Sequence, residues 1–551
     1  MPTESTLPRL EIPNVDLWAF LFEREDRPYP DNKVIYTNPD TSRSYTYAQV
    51  HSTALDFGKG LKSEWNWQKG DVLALYTPNC IDTPAIIWGT HWAGGVVSPA
   101  NPGYTSDELA FQLKDARAKA LVTQTPFLKA ACEAAKKAGV PEDRIILLGE
   151  KKDEIGKFKH FSDIKHMSGL TLFKRAKADP RTDLAFLVYS SGTTGLPKGV
   201  MLSHKNIIAN IMMVHASDEG NLSWRGGKDG KGDKHLAILP FFHIYGLACL
   251  IHQSIYSGLQ LIVMPKFDLE SFCKHAQNYS TTFAYVVPPV VLLLGKSPIV
   301  DKYDMSSIKM MTSGAAPLAS DLVDVVYKRL KIPIRQGFGL SETVVTHIQP
   351  WEDWNKTIGS VGRLLPNQVA KYMSNDGQEV PTGQTGELWI KGPSIFLGYL
   401  NNAEGSRNAK KDGYFKTGDV GYQDAKGNFY ITDRMKELIK YKGFQVPPAA
   451  LEGILATHDE VDDVAVIGIY KEDQATEVPR AYVVLKKGLK AGRAMEERIV
   501  HWLATKVASH KRLRGGVKFV DEIPKSTSGK ILRRVLKEQA TIDEKSQRAK
   551  L

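Results

Sequence analysis

The chain has 551 residues, 42% hydrophobic and 24% charged, with a formal net charge of +11. That length exceeds one hydrophobic core, so at least two domains are expected, and the composition is that of an ordinary globular protein. No run of about twenty apolar residues occurs, which speaks against a membrane-spanning helix. Met1-Pro-Thr-Glu-Ser lacks the basic stretch and apolar core of a secretory signal.

Residues 1–30 carry scattered apolar residues and prolines and read as an extended arm. Strand signals at Gly70–Tyr76, Gly94–Ser98, Ala120–Val122 and Arg144–Leu148 alternate with helix signals at Leu109–Ala118 and Pro126–Ala138. Such alternation predicts an α/β architecture with largely parallel sheets. An apolar run, Leu184–Val188, reads as a buried strand. Ser203-His204-Lys205-Asn206 caps a helix to about His215, and the Gly/Lys/Asp-rich residues 216–234 read as a surface loop. A strand at Leu236–Leu239, a Pro-Phe-Phe-His turn, a helix at Gly246–Ser257 and a strand at Gln260–Met264 follow. From Gly362 to Phe396 the strands shorten and turns multiply, as in an antiparallel, barrel-like unit.

A boundary is expected near Asp433-Arg434, after a hairpin completed by Gly427–Thr432. Beyond it come a helix at Pro448–Ala456, strands at Val461–Tyr470 and Arg480–Lys486, a helix at Met495–Val507 and a basic tail. From Arg434 onward there are 24 Lys and Arg against 16 Asp and Glu, so most of the positive excess lies in the last fifth of the chain. A basic module of this kind attracts polyphosphates such as ATP and coenzyme A. Cys80, Cys132, Cys249 and Cys273 lie far apart in no metal spacing and read as reduced, mostly buried thiols of an intracellular protein.

The chemistry begins after the strand at Leu184–Val188, in Tyr189-Ser190-Ser191-Gly192-Thr193-Thr194-Gly195-Leu196-Pro197-Lys198-Gly199. Three glycines bring amide groups close to a ligand, four hydroxyls add donors, and Lys198 adds a mobile positive charge. The loop suits a polyphosphate, although composition alone also fits a flexible linker. It is not a Walker A loop, because no Lys-Ser or Lys-Thr follows the last glycine. Further segments stand at turns where α/β proteins place ligands: Pro240-Phe241-Phe242-His243-Ile244-Tyr245-Gly246, Ser313-Gly314-Ala315-Ala316-Pro317-Leu318, and Gln336-Gly337-Phe338-Gly339-Leu340-Ser341-Glu342. Downstream come Tyr414-Phe415-Lys416-Thr417-Gly418-Asp419, Lys436 to Val446, and Lys530 at the tip of Pro524-Lys525-Ser526-Thr527-Ser528-Gly529. Each alone also fits a tight turn, a core histidine or a charged surface.

Together, and in this order from residue 189 to 533, these segments resemble the adenylate-forming enzymes: acyl-CoA ligases, luciferases and peptide-synthetase adenylation domains. The resemblance covers essentially the whole chain and is closest to the 4-coumarate–CoA ligase-like branch. It implies an α/β fold in which residues 1–432 form a large domain of parallel α/β subdomains plus a small β-barrel-like subdomain. Residues 433–551 would form a small mobile α+β domain that swings about Asp433.

The resemblance also implies roles. Ser190, Ser191, Gly192, Thr193, Thr194 and Lys198 would hold the phosphates of ATP. Ala315, Gln336, Gly337 and Phe338 would hold adenine, with Phe338 stacked on it. Ser341 would face phosphate, Glu342 would bind Mg2+, and Asp419 and Arg434 would hold the ribose. Lys436, Lys440 and Gln445 would lie near the adenylate, while Lys266, Lys442 and Gly443 would contact coenzyme A. His243, Tyr245, Gly337, Val344 and Val345 would line the acyl pocket, where Phe241, Val286 and Val287 are further apolar candidates. Lys530 would be the catalytic lysine, with His243 beside the reacting carboxylate.

The implied reaction is a carboxylate plus ATP giving acyl-AMP and pyrophosphate, then coenzyme A giving the thioester and AMP. The substrate class is an aromatic or arylpropenoic acid such as 4-coumarate. A medium- or long-chain fatty acid, a luciferase-like oxygenase and a non-catalytic nucleotide-binding protein stand as alternatives. The small-molecule partners are the acid, ATP and coenzyme A, with no nucleic acid expected. Ala549-Lys550-Leu551 fits the small-basic-leucine peroxisomal address, so a peroxisomal import receptor is expected, with the cytoplasm as alternative. Three departures from the branch stand out. Phe338-Gly339-Leu340-Ser341 replaces Tyr-Gly-Met-Thr, Thr343-Val344-Val345 replaces Ala-Gly-Pro, and Pro447-Pro448-Ala449-Ala450 replaces Ala-Pro-Ala-Glu. None removes a catalytic group, but those near the acyl pocket bear on which acid is used.

Overall fold

A computed structural model describes residues 2–166, 173–190, 197–218, 220–227, 229–318, 320–442, 444–474, 476–526 and 529–548. Two large sheets carry the architecture. In the first, the strands Leu184–Ser190, Val96–Ala100, Val72–Tyr76, Ala118–Thr123 and Ile145–Leu147 run parallel. Lys198–Ser203 pairs antiparallel with Leu184–Ser190. In the second, Ile334–Leu340, Met310–Ser313, Phe283–Val286, Lys234–Ala237, Gln260–Val263 and Val34–Thr37 run parallel, with antiparallel strands on both edges. These strands are apolar runs buried on both faces, because helices cover both sides of each sheet. One continuous core joins the two sheets.

A third, antiparallel sheet contains Val369–Met373, Gly386–Lys391, Tyr414–Gln423 and Phe429–Arg434. The C-terminal region has its own core, built on the hairpin of Val461–Lys471 with Thr476–Leu485 and centred on residues such as Ile467, Tyr482, Ile499 and Leu536. The resulting α/β fold, with a half-barrel sheet and a C-terminal unit, is the one expected. Among the described residues no helix is long and apolar enough to cross a membrane.

The N-terminal arm is not simply extended. Thr3–Glu4 adds a strand to the antiparallel sheet, and Leu17–Phe22 is a helix whose Asp16 cap accepts the Ala19 amide. Two turns are too short to display a helical period. Burial of Leu17, Trp18, Phe20 and Leu21 holds the helix instead.

Residues 216–234 are also more than a solvated loop. The helix runs on to Asp218, and Asp233 is buried, accepting from the Ser223 amide at 2.7 Å and from Lys309 Nζ at 2.7 Å. The expected helix at 246–257 contains a π-helical stretch, Leu247–His252, in which His252 Nδ1–H donates to the Leu247 carbonyl. The basic tail folds into the strand Val517–Phe519 and the helix Arg533–Arg548, anchored by buried Leu536 and Ala540.

Candidate active site

The two antiparallel strands at the boundary make the first part of the site. Asp419 and Arg434 are direct register partners, and Arg434 Nε donates to Asp419 Oδ1 at 3.1 Å. Asp419 is 3% exposed, and its Oδ2 has no partner among the described residues. Burial pushes its carboxyl up, while the charges of Arg434 and Lys530 pull it down. An ion-paired carboxylate with one free acceptor oxygen is suited to a pair of vicinal hydroxyls.

Lys530 comes to this place from the C-terminal unit. Its Nζ lies 3.9 Å from Glu437 Oε1, and it is half-buried. Burial and the charge of Arg434 lower its pKa, against the pull of Glu437 and Asp419. The loop that carries it packs onto the large unit. A Cβ added at Gly529, which has a φ of +80°, would meet Val287 Cγ2 at 3.2 Å and Pro289 Cγ at 3.3 Å. A second contact joins the units elsewhere, where Lys296 Nζ donates to the carbonyls of Ala456 at 3.1 Å and Val461 at 2.9 Å.

His243 stands close enough to Lys530 to feel its charge. Burial, with Lys530, lowers its pKa to about 4, so the imidazole is neutral at pH 7. His243 Nδ1 accepts the Tyr245 amide at 3.2 Å, which leaves the ring proton on Nε2. Tyr245 donates through its hydroxyl to the Thr312 carbonyl at 3.0 Å, and its ring covers Gly314. His243, Tyr245, Gly337 and Val345 keep exposed surface, whereas Phe241, Val286 and Val344 are buried, and Val287 is nearly so. Val344 has a φ of +53°, rare for a β-branched residue. It tightens the turn at Ser341-Glu342-Thr343 until a Cβ at Gly339 would lie 1.9 Å from the Val344 carbonyl oxygen. Only glycine fits there. Ala315, exposed with a φ of +70°, ends the neighbouring strand, and Phe338 is half-buried with its ring edge-on to His347.

The turn also places Glu342, whose Oε1 accepts the Tyr399 hydroxyl at 2.9 Å. Lys198 Nζ sits 5.0 Å from the centre of the Tyr399 ring, and Tyr399 pairs with Val200 on the Lys198 strand. Lys198, Tyr399 and Glu342 therefore lie side by side, with Glu342 also acting on Asp419 and Arg434 through space. Among the described residues no group of three or more His, Cys, Asp or Glu side chains is arranged to hold a metal ion. One carboxylate completed by phosphate oxygens is, however, an ordinary Mg2+ environment, and a carboxylate placed as that of Glu342 would fit it.

The structure does not bring every expected residue to this place. Lys440, Lys442 and Gln445 are exposed on a hairpin of Ile439–Tyr441 with Phe444–Val446. Its bonds run within the C-terminal unit: the Lys440 amide to Glu477, the Lys442 amide to Thr476, and Phe444 stacked on His510. Lys436 and Lys266 are exposed, Gln336 is buried and Ser341 is half-buried. Ser191, Gly192, Thr193, Thr194, Gly443 and the terminal tripeptide lie outside the described residues.

Three positioning groups escaped the sequence reading. Tyr399 lies in a two-residue strand with no pattern around it. Glu437 and Arg533 lie inside quoted segments. Arg533 bridges Glu437 Oε2 and Glu452 Oε2, both at 2.6 Å, which holds Glu437 beneath Lys530. Opposite charges so far apart in sequence carry no local signal.

Residues 22–400 match the family model for the AMP-binding enzyme, and residues 450–530 match the AMP-binding enzyme C-terminal domain. The chain belongs to the AMP-binding enzyme family. Within the family it is 37% identical over 548 residues to probable 4-coumarate–CoA ligase 1 of Dictyostelium discoideum, covering 97% of each chain. It is 35% identical to 4-coumarate–CoA ligase 1 of Petroselinum crispum, covering 97% and 96%. Among solved structures, ATP-bound MatB from Rhodopseudomonas palustris superposes with a TM-score of 0.82 at 28% identity, covering 96% of this chain and 99% of that one. The anthranilate CoA ligase AuaEII with anthranoyl-AMP has a TM-score of 0.85 at 24% identity, covering 96% and 98%, a likeness of fold.

Proposed function

We propose that the chain is an ATP-dependent acid–CoA ligase that works through an acyl-adenylate, and that its acid is an arylpropenoic acid such as 4-coumarate. The observation that carries the reading is the meeting of Lys530, from the C-terminal unit, with Asp419 and His243 of the large one and with Arg434 at the boundary. The ribose of ATP binds Asp419 and Arg434. The phosphates lie along Lys198, and Glu342 would hold a Mg2+ ion, which would screen their charge. The carboxylate of the acid attacks the α-phosphorus beside neutral His243. Lys530 stabilises the negative charge that builds on the transferring group.

The second half-reaction follows rotation of the C-terminal unit about Asp433, which withdraws Lys530 and brings the hairpin with Lys440 and Lys442 to the adenylate. In the described arrangement that hairpin is bonded elsewhere. Lys296 then acts as a latch for the first orientation. Lys296→Ala is expected to slow adenylation by roughly threefold to tenfold, the loss of two hydrogen bonds from a charged donor. Thioester formation from supplied acyl-adenylate should hold or rise. Equal slowing of both steps would refute the latch.

The Tyr245 ring, packed over Gly314, is an aromatic face against which a flat acyl group could stack. The names of the relatives at 35–37% identity support the same substrate class. Acid-dependent AMP release, with ATP, Mg2+ and coenzyme A, tests the reading across cinnamic, benzoic, phenylacetic and fatty acids. Strongest turnover with an arylpropenoic acid is expected. A fatty-acid preference would keep the ligase and displace the acid, and no turnover would overturn both.

A further inference from the structure

None of these steps uses Asn79, yet it is tied to the turn that carries His243. It follows the strand Val72–Tyr76 of the first sheet and is buried. Three side-chain hydrogen bonds take it across to the segment that leaves the strand Lys234–Ala237 of the second sheet. Its Nδ2 donates to the carbonyls of Leu239 at 3.0 Å and Ala237 at 3.4 Å, and its Oδ1 accepts the Phe241 amide at 2.8 Å. Two carbonyls on one side and an N–H on the other suit a carboxamide, which both donates and accepts.

The three bonds grip the backbone on both sides of Pro240. The Pro240 carbonyl in turn accepts the His243 amide at 3.1 Å, which closes the turn. A Cβ added at Gly246 would lie 2.2 Å from that carbonyl oxygen, so the turn is packed from its other side as well. The bond from the Tyr245 amide to His243 Nδ1 then sets the ring and its Nε2 proton. Asn79 is thus joined to the imidazole by a run of directional contacts. Packing supplies a different constraint. Ile238, Leu239, Phe241 and Ile244 are buried and keep the segment in the core. Apolar burial is non-directional and tolerates a small tilt, whereas a hydrogen bond weakens steeply when misaligned. The bonds from Asn79 therefore decide the aim of the turn more than its presence.

We infer that Asn79 is a positioning residue for adenylation, a strut from the first sheet that holds His243 in line with the reacting carboxylate. It acts through the turn rather than by touching the reactants. The first sheet also carries Lys198, on the strand Lys198–Ser203. The strut therefore fixes a group assigned to the phosphates relative to a group assigned to the acid, although the two come from different sheets. Adenylation needs both at once, and a misplacement of about 1 Å in such a constellation costs roughly a hundredfold.

The inference rests on the ligase reading, and its test separates the two. Asn79→Ala is expected to lower kcat for acyl-adenylate formation roughly tenfold to a hundredfold, with KM for ATP held. In a His243→Ala background the same substitution should cost little further, because an effect that passes through His243 is lost with it. A merely structural role would lower the denaturant midpoint and slow both backgrounds alike.

A second readout needs no turnover. In protein with isotopically labelled histidines, the His243 signal is assigned by its loss in His243→Ala. The native ring should titrate at about 4, held there by burial and by Lys530. A loosened turn admits water, so in Asn79→Ala the ring should titrate nearer the usual 6.5. Asn79→Ser, which leaves room for a water to take up the freed groups, serves where Asn79→Ala folds poorly. Failure of every acid to react would strike the ligase reading and leave the titration to decide the strut. Equal loss in the native and His243→Ala backgrounds, or an unmoved His243 titration in the variants, would overturn the inference.

Discussion

Lys530→Ala is expected to slow acyl-adenylate formation by roughly a hundredfold to a thousandfold, the usual loss when one preorganised transition-state donor is removed. Among the described residues the Lys530 ammonium makes one ion pair, the long, 3.9 Å contact with Glu437, so the variant should keep its denaturant midpoint. Thioester formation from supplied acyl-adenylate should be nearly untouched, because Lys530 leaves the site before that step. Normal adenylation by the variant would contradict the assignment.

A pH profile adds an independent readout. Burial and Arg434 lower the pKa of Lys530, so its charged form is lost at a lower pH than the usual 10.5. The alkaline limb of the adenylation rate should therefore fall below the ordinary lysine range, and Lys530→Arg should move it upward. His243 titrates at about 4, so it contributes no inflection near 6.5.

Asp419→Asn is expected to reduce kcat/KM for ATP by roughly a hundredfold, the scale of removing one member of a buried, hydrogen-bonded charge pair. The free Oδ2 is the group that would accept a ribose hydroxyl, and an amide nitrogen in its place repels that donor. The effect on stability should run the other way. Burial raises the Asp419 pKa, so ionising it is a cost to the unliganded fold, borne above its raised pKa and relieved as the pH falls through it. The neutral variant should therefore be at least as resistant to urea as the native protein at pH 7. Lost ATP affinity with unchanged or higher stability marks a functional carboxylate, whereas parallel loss of both would mark a structural one.

Much was legible without coordinates. Alternating strand and helix signals gave the α/β class, because strands buried on both faces must be apolar runs and their covering helices must be amphipathic. The loop Ser190–Gly199, the Asp419 strand and the glycine-bearing turns at 314 and 337 were visible because each is a short local pattern of glycine, hydroxyl or charged residues. Local patterning failed where stability came from elsewhere. The helix Leu17–Phe22 is two turns held by burial, and the π-helical stretch at Leu247–His252 depends on one side-chain bond to a carbonyl.

What the sequence by itself determined was the set of chemical groups and their order: a Gly/Ser/Thr-rich loop ending at Lys198, the Asp419 and Arg434 pair, a late lysine and a basic C-terminal module. Only the tertiary structure decided which of them meet. Lys530 reaches Asp419 across more than a hundred residues, while Lys440 and Lys442, much nearer in sequence, point away on a hairpin tied to Glu477 and Thr476. The same holds for Arg335 and Asp218, an ion pair formed between a strand and a helix end that no spacing rule connects. Coulomb attraction and burial act through space, and chain order constrains them only through the fold that sets those distances.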